Sequence, residues 1–425
     1  FLGVMNMGDF DNIIGYSDVK AELKRLCDIL KDFEKYKKFG ITMPAGLLLN
    51  GEPGVGKTTM AMSLIEASGR KTFICRKDRP DGEFVNEIKN VFAKAKENAP
   101  SIVFLDDMDK FANGDKRRKN EEEYVTIQAC IDDIKGSDVF VVATANESEK
   151  LPDSLIRPGR FDKVIWINAP RGKDAEDIVK YYLSKKNYIE DLDTKEIARL
   201  LDGNSCAELE SVINEAGIYA AYDNREKIAM DDLLKAFLRI VYNAPESSEE
   251  KPPEVTEMIA YHEAGHAIAE ELLSPGGVTL VTIKANHGEV GGFTALHNPE
   301  EYWYSKKCME NRVIEILSGK AATEMIYGVT DVGANNDLHR AFDIVERFVD
   351  NYCSYGFDKW INKNNCSNDL LSRQETHIAS EVNRYYEEAK HLMAENRDYL
   401  ERVARALIEK KTLSGSAVRA LKDAA

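Results

Sequence analysis

His262-Glu-Ala-Gly-His266 lies inside an apolar-periodic stretch, Met258 to Leu273, that reads as a helix. Residues four apart share a helix face, so both imidazoles can hold one zinc ion while Glu263 abuts the water to be activated. The chain has only 7 His, which makes a chance pair of core histidines in this pattern rare. A catalytic zinc needs a third protein ligand. The H-E-x-x-H-x-x-G-x-x-H extension does not supply it, because Ala269 and Leu272 occupy those positions. Downstream candidates are His287, His297, Glu324, Asp331, Asp337 and His339. The chemistry of such a site is peptide hydrolysis, with Glu263 taking a proton from water and passing it to the leaving amine.

A second constellation handles phosphate. Gly51-Glu-Pro-Gly-Val-Gly-Lys-Thr58 matches G-x-x-x-x-G-K-[ST] between a strand at 46–50 and a helix starting near Thr59. Its cofactor-binding residues are Gly51, Pro53, Gly54, Val55, Gly56, Lys57, Thr58 and Thr59. The curled backbone turns its N–H groups toward phosphate oxygens, Lys57 reaches the β/γ-phosphates and Thr58 the Mg²⁺ of bound ATP or ADP. Strand 101–105 then delivers Asp106, a candidate for holding Mg²⁺ through water, and Asp107, a candidate for polarising the attacking water. A further strand ends in Ala143-Thr-Ala-Asn146, which sets an amide near the γ-phosphate.

The elements that position these groups divide the chain. Continuous apolar runs at 46–50, 72–75, 101–105 and 139–143, separated by amphipathic helical stretches, predict a parallel sheet covered on both faces over 1–170. Spaced Leu, Ile and Ala without strand-like alternation predict a helical domain over 171–242. Asn243-Ala-Pro-Glu-Ser-Ser-Glu-Glu-Lys-Pro-Pro253 reads as a linker, assigned 243–254. Residues 255–425 are mainly helical with a strand-like region around Val278 to Leu296; Val290 to Leu296 could accept an extended peptide as an added strand or serve as an internal hairpin strand.

With 57 Lys+Arg against 73 Asp+Glu, the formal charge is −16, which argues against a general nucleic-acid binder. Seven Cys without a C-x-x-C pair read as reduced thiols. No apolar run approaches the ~18 residues of a membrane span.

Asn12-Ile-Ile-Gly-Tyr16, the phosphate loop, the acidic pair, Asn146 and Leu155-Ile-Arg-Pro-Gly-Arg-Phe-Asp162, in this order, resemble an AAA+ ATPase module. The resemblance implies a ring, usually a hexamer. It adds Gly15 to the nucleotide-binding set and makes Arg157 and Arg160 arginine fingers acting on a neighbouring subunit's nucleotide. His262-Glu-Ala-Gly-His266, Ser318-Gly-Lys-Ala-Ala-Thr-Glu-Met-Ile-Tyr-Gly328 and Gly333-Ala-Asn-Asn-Asp-Leu338 together resemble the peptidase domain of FtsH-type membrane proteases. By that resemblance Asp337 completes the zinc site, with Glu324 second. The similarity covers essentially the whole chain. It implies an α/β P-loop AAA+ core with a helical lid, followed by a mainly helical zinc metallopeptidase domain. The activity it implies is ATP-driven unfolding and degradation of polypeptides by a homo-hexamer, tethered through an N-terminal segment upstream of Phe1 to the cytoplasmic side of a membrane.

Three departures from the family pattern stand out, and the first two motivate an alternative, a remodelling or regulatory ring with a weak or uncoupled ATPase. Asp106-Asp107 replaces the family's Asp-Glu. The pore-loop segment reads Arg76-Lys-Asp-Arg-Pro-Asp-Gly-Glu-Phe-Val-Asn86, with Phe84 its one aromatic. Ser205-Cys-Ala-Glu-Leu209 stands in place of Ser-Gly-Ala-Asp-Leu.

Overall fold

The computed structural model describes residues 10–77, 83–111, 121–189, 192–244, 251–284, 291–297, 305–329, 333–356 and 366–422. Half of the expected linker, 245–250, lies outside them, as do His287, Asp331 and 78–82 of the segment compared with a pore loop. In chain order the first elements are α1 (Ser17–Lys31), α2 (Phe33–Lys37), β1 (Gly46–Asn50), α3 (Lys57–Ser68), β2 (Lys71–Cys75), α4 (Phe84–Glu97), β3 (Ser101–Leu105), α5 (Glu121–Asp133), β4 (Val139–Ala145), β5 (Lys163–Trp166) and α6 (Gly172–Leu183). There follow α7 (Thr194–Leu200), α8 (Cys206–Tyr222), α9 (Met230–Tyr242), α10 (Pro253–Leu273), β6 (Val278–Thr282), β7 (Phe293–Leu296), α11 (Lys306–Tyr327), α12 (Asn335–Asp350), α13 (Asn368–Glu395), α14 (Arg397–Lys410), β8 (Thr412–Ser414) and α15 (Gly415–Ala420).

They form two compact units, 1–186 with 201–214, and 187–200 with 215–425. The helical stretch expected as one lid over 171–242 is thus divided between them. The reason is local packing: α7 lies against β6, and Glu196 accepts a hydrogen bond from the Ser416 amide at 2.9 Å.

In the first unit five parallel strands run in the order β2-β3-β4-β1-β5. Every residue of β1, β3 and β4 is buried, which is why these strands read as unbroken apolar runs. β5 was not legible in sequence, because it is a four-residue edge strand with two exposed positions. Helices α4 and α5 cover one face through Phe84, Ile88, Phe92, Ile127 and Ile131. The order carries the carboxyl ends of β1, β3 and β4 to one rim of the sheet, where the phosphate loop, the acidic pair and Asn146 emerge.

In the second unit α10, α11, α13 and α14 enclose a core with Phe348 and Tyr385 at its centre, and a three-stranded antiparallel sheet, β7-β6-β8, lies beside it. Small residues let α10 and α11 approach closely: Gly265 meets Ser318 and Ala322, and Gly319 meets His262 and His266. A Cβ on Gly265 would come within 2.5 Å of the Ser318 carbonyl oxygen and 2.8 Å of the Ala322 Cβ. Gly265→Val therefore forces the two helices apart. We expect a loss of about 1–3 kcal/mol in the stability of the zinc-free protein, read from chemical denaturation.

Candidate functional site

The phosphate loop depends on backbone that tolerates no side chains. Gly54 and Gly56 adopt φ of 82° and 95°, and a Cβ on Gly51 would come within 2.0 Å of the Ile167 carbonyl oxygen. Gly56 precedes α3 without a side-chain cap, so the first N–H groups of that helix face the loop. Lys57 is buried, and its ammonium donates to the Gly51 and Glu52 carbonyls, each at 2.7 Å, and to Asn146 Oδ1 at 2.8 Å. Burial lowers its pKa, opposed by the carboxylates of Asp107, Asp109 and Asp106.

Asp106 accepts from Thr58 Oγ1 at 3.2 Å and from Thr144 Oγ1 at 2.9 Å, and Arg76 Nε lies 3.6 Å from its other oxygen. Thr144 in turn accepts from the Asp107 amide at 2.8 Å. Asp107 has a left-handed backbone with φ of 52°, a conformation that short polar side chains tolerate best. Its carboxylate takes Lys110 Nζ at 2.6 Å and Asn146 Nδ2 at 3.5 Å. Lys57, Thr58, Asp106, Asp107 and Asn146 thus converge. Sequence reasoning missed Thr144, Asp109, Arg76 and Lys110. Thr144 has a signal, since it lies two residues before Asn146 on the strand that abuts Asp106.

A cleft of about 320 Å³ opens beside the loop, lined by Ile14, Tyr16, Val55, Gly56, Thr59 and Cys206. Its size, its aromatic wall and its place next to the phosphate loop fit a nucleobase. Pro53 is exposed on the outside of the loop. Gly15 does not line the cleft; its φ of 68° makes the turn that packs on Asp174, whose Oδ1 accepts from the Tyr16 amide at 2.8 Å. The Tyr16 hydroxyl donates to the Asn168 carbonyl at 2.9 Å and lies 3.6 Å from Cys206 Sγ, so the cysteine that replaces the family's glycine belongs to the cleft wall.

The two expected arginine fingers differ. Arg157 is exposed. Arg160 is buried and committed within its own chain, with Nη2 2.7 Å from Asp132 Oδ2 and Nη1 donating to the Ser154 carbonyl. Within its own chain this guanidinium is thus satisfied by Asp132 and Ser154. Phe84, the one aromatic of the segment compared with a pore loop, opens α4 on the core face with Ile88 and Phe92, is 3% exposed and meets the Phe111 ring edge-on at 5.0 Å.

In the second unit α10 presents His262 and His266 one turn apart, and α12 brings Asp337 from its first turn. His262 Nε2 lies 3.2 Å from Asp337 Oδ2 and 3.1 Å from His266 Nε2, which is 3.5 Å from the same carboxylate oxygen. Ligand atoms of a tetrahedral zinc with bonds near 2.0–2.1 Å stand about 3.3 Å apart, so two imidazoles and a carboxylate at these separations fit that ion. His266 Nδ1 lies 3.0 Å from the Glu315 carbonyl oxygen, which turns Nε2 toward the centre. A Cβ on Gly319 would sit 2.4 Å from His266 Nε2, so the space for the imidazoles exists only because α11 carries glycine there. Burial opposes the charge on Asp337, yet the two imidazoles hold its pKa below the usual range.

Glu263 is buried beside this centre. Burial raises its pKa against the pull of both histidines. Thr294 of β7 donates to its carboxylate at 3.0 Å, and a Cβ on Gly292 would stand 3.0 Å from its Cγ. Among the described residues β7 pairs with β6 alone, so there it is both a hairpin strand and the sheet edge next to Glu263. Glu324 points elsewhere: Lys320 Nζ lies at 3.0 Å, and the Tyr386 hydroxyl donates to it. His339 is exposed and His297 follows β7 outside the three-donor cluster. Glu315, Thr294 and Gly319 were missed; only Gly319, inside Ser318-Gly-Lys, carried a signal.

Fold and site define an AAA+ P-loop ATPase joined in one chain to an H-E-x-x-H metallopeptidase. Residues 47–169 match the ATPase family associated with various cellular activities, 191–235 the AAA+ lid domain and 250–421 peptidase family M41. The chain is 31% identical over 440 residues to the ATP-dependent zinc metalloprotease FtsH 2 of Petrotoga mobilis, covering 96% of this chain and 69% of that protein. The FtsH 2 of a Thermoanaerobacter species is 31% identical, with 95% and 81% covered, and the FtsH of Thermotoga maritima 31%, with 96% and 72%. The chain belongs to the FtsH family of ATP-dependent zinc metalloproteases, enzymes of Zn²⁺ and of ATP with Mg²⁺.

The ligand assignment has a direct test. Asp337→Asn should lower zinc affinity by roughly 10–100-fold, measured by competition with a chelating dye, while Glu324→Gln leaves it unchanged. Equal losses in both variants would refute Asp337 as the third ligand.

Proposed function

We propose that this chain couples ATP hydrolysis to the unfolding and translocation of polypeptides, which its zinc peptidase then cleaves, within a homo-hexameric ring. The observation that carries the reading is the coexistence of two complete constellations: Lys57, Thr58, Asp106 and Asn146 at one sheet rim, and His262, His266 and Asp337 with Glu263 at a sheet edge.

Zinc held by His262, His266 and Asp337 supplies Lewis acidity for the scissile carbonyl and the attacking water. Glu263 takes the proton from that water and delivers it to the leaving amine. The edge of β7, unpaired among the described residues, gives an extended substrate backbone hydrogen-bond partners beside Glu263, while Thr294 orients the carboxylate. In the first unit Lys57 would hold phosphate oxygens, Asp106 and Thr58 would hold a magnesium ion, and Asp107 with Asn146 would orient the attacking water. Arg157 is the arginine offered to a neighbouring subunit, and Arg160 with Asp132 braces the segment that carries it. The FtsH resemblance further implies attachment through an upstream segment to the cytoplasmic side of a membrane; flotation of the full-length protein with vesicles tests this. The remodelling alternative is not favoured, because the peptidase half is complete in its ligands and its base.

Glu263→Gln should retain zinc while peptide cleavage falls by about 10²–10⁴-fold. Degradation of a folded protein by the wild type but not by this variant, only with ATP, supports coupling. Equal ATP-independent rates on folded and unfolded proteins would overturn it. Asp107→Glu, which restores the missing methylene, should raise ATP turnover, and Arg157→Ala should lower it by about 10³-fold or more without loss of ATP binding. Steady-state ATPase assays read both.

A further inference from the structure

A second cavity of the peptidase unit, about 790 Å³, lies at the carboxyl end of β7 and is separate from the metal centre. Leu296, the last residue of the edge strand, and Ile344 of α12 form apolar wall, and three guanidinium groups, Arg199, Arg312 and Arg347, line the same space. Arg312 is already paired, with Nη1 2.9 Å from Glu315 Oε2. Arg199 and Arg347 are exposed and carry no ion pair among the described residues.

The fourth charged group is Glu270, one turn beyond His266 on α10. It is 9% exposed, lines the cavity, and no hydrogen bond or ion pair among the described residues reaches its carboxyl. A Cβ on Gly277 would sit 2.1 Å from Glu270 Oε1, so the backbone of the turn before β6 closes over this carboxyl. A nine-tenths buried polar group without a protein partner costs folding free energy, and the cavity is the direction from which a partner can come.

We infer that this cavity is a substrate subsite for a carboxylate group, reached by a peptide laid along β7 and held by Arg199 and Arg347, with the Glu270 carboxyl facing the same space. The inference rests on the peptidase reading above and names a substrate class for it. The balance of charge decides the sign of the ligand. Two unpaired guanidiniums and a third shared with Glu315 face a single carboxyl, and burial, together with the Glu315 charge, pushes that carboxyl up to about 7. A substrate Lys or Arg would enter against three cations; a carboxylate meets bidentate partners. The carboxylate can come from an Asp or Glu side chain or from a chain's free C-terminus.

The test uses the full zinc-loaded chain carrying Glu263→Gln, so that bound peptides survive. Short fluorescent peptides with amidated C-termini carry Glu, Gln or Lys at each position in turn, and a further set carries Gln with a free C-terminal carboxylate. Binding is read by anisotropy. At one position Glu should bind roughly tenfold more tightly than Gln, the size of one charge-assisted hydrogen bond, and Arg199→Gln or Arg347→Gln should shrink that ratio to about twofold. A gain confined to the free C-terminus assigns the terminal carboxylate as the source. A preference for Lys, equal binding of all peptides, or a Glu preference untouched by both arginine variants overturns the subsite. Cleavage of the Gln peptide by the chain with Glu263 intact separates the two readings: no zinc-dependent cleavage sinks the peptidase reading, and normal cleavage without acidic preference sinks the subsite alone.

Discussion

The distance of closest approach between α10 and α11 governs the peptidase half. His262, Glu263 and His266 occupy three positions of α10 that are almost wholly buried. Burial at that depth next to a second helix requires the facing helix to give way, and it does so at Gly319, where a Cβ would overlap His266, while α10 gives way at Gly265. With the helices in contact, the Glu315 carbonyl on α11 fixes the His266 ring and Asp337 closes the set from α12. A larger residue at either glycine would spread the elements whose spacing defines the metal geometry. The centre is thus a consequence of helix packing before it is a consequence of ligand chemistry.

The ATPase half obeys a comparable constraint through its sheet. Parallel register brings the ends of β1, β3 and β4 level, and a single threonine, Thr144, ties the backbone of Asp107 to the carboxylate of Asp106. Asp107 is one methylene shorter than the glutamate of the family pattern, but its left-handed backbone and its contacts to Lys110 and Asn146 hold the carboxylate in one place. These contacts fix where the shorter carboxylate sits. Cys206 has a similar local account: its thiol packs against Tyr16 and fills the cleft wall where the family has glycine.

Much of this was legible in the sequence because it depends on short-range rules. The phosphate loop and the H-E-x-x-H pair are each held by one element, so spacing along the chain is spacing in space. Buried parallel strands announce themselves as apolar runs, whereas β5, a short edge strand with half its residues exposed, does not. The sequence was least informative for residues whose surroundings depend on contacts distant in sequence. Phe84 looked like the aromatic of a pore loop and is a core residue; Arg160 looked like a finger and is bound to Asp132, 28 positions away. Thr294 and Glu315 gave no signal, because a threonine in a strand and a glutamate in a helix are common.

Residue types and local spacing by themselves determined the two chemistries, the order of the elements and the candidate ligands. They left six possible third ligands, and only resemblance pointed to Asp337. Tertiary structure brought Asp337 to the histidines and turned Glu324 to Lys320 and Tyr386. It also placed β7 along Glu263 and gathered Arg199, Arg312 and Arg347 around a buried carboxyl. The reason is physical. A helix or a tight loop sets the geometry of residues a few positions apart, but which side chains from separate elements meet is decided by how their surfaces pack, and no local rule contains that information.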